Sequence, residues 1–138
     1  MDRSKGFTLL EVMIVVVIVA VLSSLAVASY RHYVFRARRA DARQMLMNIA
    51  HGEERWYATY NRYTDDLGKF GYAVATAPDA NYQPMLTLDG DDAQSYVAAV
   101  LPINTQAGDA CGEMTLDSTG RKTPERADTT ANANGRCW

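Results

Sequence analysis

Glu11 stands alone at the entrance to an apolar run in which residues 12–28 are interrupted only by Ser23 and Ser24. A carboxylate in membrane-grade sequence costs roughly 2.5 to 3.5 kcal/mol at the bilayer centre and less near its edge, so a compensating charge is expected. An amine would supply it. A cut between Gly6 and Phe7 would create a positive N-terminus four residues before Glu11, one helical turn away on the same face. Glu11 could then pair with its own Phe7 amine or with that of a neighbour.

Other reactive side chains form no site. Cys111 and Cys137 are an even pair in a chain that opens like an exported one, which favours one disulfide in an oxidising compartment; two buried free thiols are the alternative. Closing that loop is worth roughly 3 to 4 kcal/mol in the loop-entropy account. His32 and His51 share no ligand spacing with the cysteines, so no metal is expected, and both read as residues of a solvated helix face. Ser23 and Ser24 lie in the apolar run with no base beside them, so a hydrolase triad has no support and no enzyme is expected. Asp89, Asp91 and Asp92 fail the calcium-loop spacing at Ala93 and read as a hairpin turn. No glycine-rich phosphate cradle is present, and no cofactor is implied.

The elements around these residues begin with a long helix. The apolar run also admits a secretory signal, with Ala26, Val27 and Ala28 as a cleavage site before Ser29, or an uncleaved signal anchor. Neither gives Glu11 a use. Beyond it, Ala42, Met45, Leu46, Ile49, Trp56 and Tyr60 recur at three- and four-residue steps, with Arg43, Asn48, Glu53, Glu54 and Arg55 between them. No proline falls between Phe7 and Tyr60, which predicts one helix of about 80 Å, apolar all round in its first half and one-sided in its second. Residues 61–71 carry turn chemistry, with Tyr63, Leu67 and Phe70 placed to pin the loop. Residues 81–88, 95–101 and 113–116 read as short antiparallel strands, and 118–134 as a polar, turn-rich segment held mainly by the bridge. The expected class is α+β.

The run G-F-T-L-L-E-V-M-I-V-V, residues 6–16, resembles the N-terminal signature of type IV prepilins. Further along, Trp56-Tyr57, Asn61-Arg62-Tyr63-Thr64, residues 111–117, Ser118-Thr119-Gly120 and Cys137-Trp138 resemble the small minor pilins called PilE. The resemblance implies a type IV pilin fold divided into a leader at 1–6, a membrane and filament-core half-helix at 7–30, an amphipathic half-helix at 31–60 and a globular head at 61–138. It implies cleavage between Gly6 and Phe7 by a prepilin peptidase that also methylates the Phe7 amine. Glu11 would neutralise Phe7 of a subunit already in the filament, and Cys111 would pair with Cys137. Partners implied are membrane lipid before assembly, other pilin subunits and the inner-membrane assembly platform. Major pilins commonly carry a glycine and a proline where this chain has Ala20 and Ala28, and that departure favours an unbroken helix.

Charge adds a conflict. Arg31, Arg36, Arg38, Arg39 and Arg43 outnumber Arg3 and Lys5, so the positive-inside rule alone would hold the head in the cytoplasm. The cysteines and the leader resemblance place the head outside it, leaving the arginines on a solvated helix face or against acidic neighbours. Residues 61–138 carry six Lys/Arg against eleven Asp/Glu, so nucleic acid is not an expected partner. The expected function is a structural, minor pilin of a type IV pilus serving twitching motility, attachment or DNA uptake. A type II secretion pseudopilin and a signal-anchored or secreted binding protein remain open.

Overall fold

The computed structural model describes residues 6–72 and 80–138. Its contacts divide the chain into two units, Met1–Val34 and Phe35–Trp138. One helix, α1 (Leu9–Tyr60), runs from the first into the second without interruption at Ala20 or Ala28. It starts two residues later than the expected Phe7 because Thr8 caps it. The Glu11 N–H donates to Thr8 Oγ1 at 3.2 Å and the Val12 N–H to the Thr8 carbonyl at 3.2 Å, which satisfies two of the otherwise unpaired first-turn donors.

Among the described residues of the first unit, nothing covers the helix. Val12, Val15, Ile18 and Leu22 are each more than half exposed. The Ser24 hydroxyl is satisfied locally by donating to the Val21 carbonyl at 2.7 Å, as a hydroxyl in an apolar helix must be. It is long and apolar enough to cross a membrane.

The second unit is α+β. Strands β1 (Tyr82–Leu88), β2 (Tyr96–Pro102), β3 (Met114–Asp117) and β4 (Lys122–Thr123) form one antiparallel sheet in that order. β1 and β2 pair from Tyr82 opposite Pro102 to Leu88 opposite Tyr96, and Asp89 and Ser95 close the hairpin. Ala42, Leu46 and Ile49 of the helix are fully buried in one cluster with Leu86, Ala98, Val100, Met114 and Leu116 of the sheet. The alternation of buried and half-buried residues in β3 is the period-two signature of a sheet with one covered face.

Several expectations need correction. The segment 118–134 is not turns alone, because Lys122 and Thr123 pair with Leu116 and Thr115 as β4. A short 3-10 turn at Asn104–Gln106 was unforeseen. Tyr60, placed on the apolar stripe, is 54% exposed and packs its ring on Trp56 at 4.2 Å instead. Glu53 and Arg39, read as solvated, are wholly buried. His32 and His51 are exposed, as expected.

Gly52 is buried against the ring of Phe70, and a Cβ there would lie 2.4 Å from Phe70 Cδ1. Replacing glycine by alanine in an exposed helix gains about 1 kcal/mol. Here overpacking at about 1 to 3 kcal/mol outweighs that gain. Gly52→Ala is therefore expected to lower the denaturation midpoint; a raised midpoint would mean that Phe70 swings aside freely.

Candidate functional site

The first candidate is the N-terminal turn. Phe7 is 83% exposed, Gly6 and Glu11 are exposed, and the side chains of Phe7 and Glu11 line one apolar groove with Val12, Val15 and Val16. The N-terminal turn thus places at one groove the two residues that a cleaved amine and a carboxylate would require. Thr8 is the residue the sequence reading missed. Thr8-Leu9-Leu10-Glu11 carries the S/T-x-x-E pattern of a capping box, and an acid in the first turn also suits the helix dipole. The bond that is made uses the Glu11 backbone N–H and not its carboxylate.

The second candidate is the C-terminal loop of the head. Cys111 and Cys137 are bridged, with Cα atoms 5.7 Å apart, and both are buried. The bridge is not the loop's only hold. Arg39 Nε and Nη2 donate to both oxygens of Asp109, at 2.8 and 2.5 Å. Arg39 Nη1 donates to the carbonyls of Gly135 and Arg136, and Nη2 also donates to Asn134 Oδ1. Gly135, at φ +113°, takes a backbone conformation open to glycine, which helps turn these acceptors toward the guanidinium. Burial alone would push the Asp109 carboxyl up, but the hydrogen bonds and charge of Arg39 outweigh it and hold the group below the usual carboxylate range. Gln106 Nε2 bonds to Asp109 Oδ2 and to the Tyr82 hydroxyl, tying the same hub to β1. Trp138 adds a further tie, its indole N–H donating to the Thr123 carbonyl at 2.7 Å.

Neither arrangement is catalytic chemistry. Among the described residues, no group of three or more His, Cys, Asp or Glu side chains is placed to hold a metal ion. Asp117, which ends β3, spends Oδ1 on Thr119 and on the Arg121 N–H. Those bonds, the Thr119 hydroxyl foremost, hold its carboxyl below its ordinary range.

A helix bare and apolar in its first half and laid on a small antiparallel sheet in its second, with a disulfide closing the C-terminal loop, defines a pilin-type structural subunit. A solved type IV pilin from Shewanella oneidensis matches it with a TM-score of 0.57 at 27% identity, covering 75% of this chain and 97% of that one. The chain belongs to the type IV pilins: residues 28–115 match the family described as type IV minor pilin ComP, DNA uptake sequence receptor, and residues 1–27 match the prokaryotic N-terminal methylation motif. It is similar to fimbrial protein Q of Moraxella bovis, at 30% identity over 86% of this chain and 70% of that protein. It is also similar to the type IV major pilin protein PilA of Myxococcus xanthus, at 28% identity over 73% of this chain. The chain spans only 45% of the length of that relative, about half. Pilins are structural proteins rather than enzymes.

Proposed function

We propose that this chain is a minor subunit of a type IV pilus. It rests in the inner membrane through residues 7–30, surrounded by lipid, with residues 31–60 backing a head at 61–138 that lies outside the cytoplasm. Cleavage after Gly6 removes residues 1–6, and the new Phe7 amine is methylated. The inner-membrane assembly platform then passes the subunit into the filament, where Glu11 neutralises the Phe7 amine of a subunit already in place. There it supports pilus biogenesis, twitching motility and attachment.

The observation that carries this reading is the uncovered apolar surface of α1 beneath a methylation motif. So large a bare patch is expected to find a partner, lipid first and other pilin helices afterwards. Shearing the cell surface and assaying the released filaments for this chain tests it. The chain should appear in them at low abundance and vanish when the prepilin peptidase is deleted; its absence from them would instead favour the pseudopilin of a type II secretion system.

A second reading, DNA capture by the assembled subunit, is favoured by the description of the matched family. The acidic excess in residues 61–138 weighs against it. Filter retention of labelled duplex DNA by the purified chain decides: retention that falls steeply with salt supports DNA capture, and no retention at low salt removes it.

A further inference from the structure

Glu53 has no part in the N-terminal turn or in the Arg39 hub, yet it is a fully buried carboxyl near the end of α1. Its Oε2 accepts the backbone N–H of Thr64 at 3.1 Å, which fastens the segment after the helix back onto the helix. Its Oε1 has no hydrogen-bond partner among the described residues. Beside it, Gly52 admits the ring of Phe70, so the same turn of α1 also receives the apolar side of that segment. Residues 61–72 therefore close over a carboxyl that is only half satisfied.

The charged neighbours worsen its position. Glu54 of the helix and Asp65 of the loop are the charges that act on Glu53, and both are acidic. The phenols facing it, Tyr63 from the loop and Tyr96 from β2, are pushed up by burial and stay neutral. Among the described residues, no cation is one of the groups that act on Glu53. Burial first, and then these acids, push its carboxyl up to about 7 against the Thr64 hydrogen bond, which pulls the other way.

We propose that Glu53 is a proton-operated latch, holding residues 61–72 against the helix when neutral and releasing them when ionised. Released, the segment lifts Leu67 and Phe70 from the core they pack against and uncovers apolar surface there. Because the head is read as lying outside the cytoplasm, such a latch would respond to the pH of the medium. The latch itself does not depend on the pilus reading, and its failure would leave that reading intact.

The sign follows from linkage. With the segment open, Glu53 is solvated and returns to the ordinary glutamate value of 4.5, whereas closed its carboxyl is pushed up to about 7. The closed state thus binds the extra proton between those values, and opening becomes easier as pH rises through that window. Amide hydrogen exchange on the full chain in detergent micelles, corrected for intrinsic rates, reads the effect. Between pH 5 and pH 8, protection of the amides of residues 61–72 should fall about a hundredfold while that of β2 holds. In Glu53→Gln, which cannot ionise, protection at pH 8 should match the wild-type value at pH 5. Equal wild-type protection at the two pH values, an equal fall in β2, or an unchanged pH dependence in Glu53→Gln would each overturn the proposal. If that variant does not fold, the carbon-13 shift of the Glu53 carboxyl in the wild-type chain decides: a midpoint near 7 supports the latch and one near 4.5 overturns it.

Discussion

Arg39→Ala is expected to destabilise the head by about 3 to 5 kcal/mol, the cost of breaking a buried ion pair from one side. Both side chains are essentially inaccessible, at 0% and 1%, so water cannot replace the lost guanidinium. The variant leaves the Asp109 carboxylate buried and unpaired, and deprives Asn134, Gly135 and Arg136 of their donor. Two consequences separate this account from simple loss of bulk. Replacing both partners, as Arg39→Met with Asp109→Leu, should recover much of the loss, because apolar pairs of similar volume often match buried ion pairs in stability. The Asp109 carboxyl is held below its ordinary value in the folded chain, so its stabilisation is present above about pH 4 and lost as pH falls through the folded value. Chemical denaturation of both variants at neutral and acid pH checks these points. A loss below about 1 kcal/mol in Arg39→Ala would show that the hub is not a main tie of the C-terminal loop.

Glu11→Ala is expected to leave membrane insertion and leader cleavage largely intact and to cut incorporation into filaments at least tenfold. Two charges 4 Å apart at an effective dielectric of about 20 attract by about 4 kcal/mol, and a net gain of even about 1.4 kcal/mol after desolvation corresponds to tenfold. The substitution spares the helix cap, since Thr8 accepts from the backbone N–H of residue 11 and not from its side chain. Glu11→Gln separates charge from size: it should fail as Glu11→Ala does. Quantitative immunoblots of sheared filaments against membranes measure the ratio. Undiminished incorporation would remove the pairing role and leave Glu11 with a first-turn dipole contribution of about 0.3 to 1 kcal/mol.

What was legible in the sequence was local. Gly6, Phe7 and Glu11 stand out because a six-residue window holds them at the head of an apolar run. β1 and β2 begin within a residue of expectation, since strand-forming apolar residues flank an Asp-Gly turn. The bridge could be read from two cysteines and an export-like start. Residues joined over long distances were hidden. Arg39 lies in a run of arginines that looks solvated, and its partner Asp109 is 70 positions away. Glu53 sits in a charged Glu-Glu-Arg triplet that gives no sign of the loop folding back over it. β4 has two residues and owes its existence to pairing with β3 rather than to propensity. Thr8 is the opposite case: the capping pattern was in plain view, but Glu11 had a more conspicuous explanation.

The central claim, that this chain is made to be cut after Gly6 and assembled through α1, is tested most directly by mass spectrometry of the mature N-terminus. The protein would be recovered from membranes and from sheared surface material alike. An N-methylated Phe7 in both fractions is the predicted result. Ser29 or an intact Met1 in the functional form would contradict it, because Glu11 would then have been removed or would face no free amine four residues away.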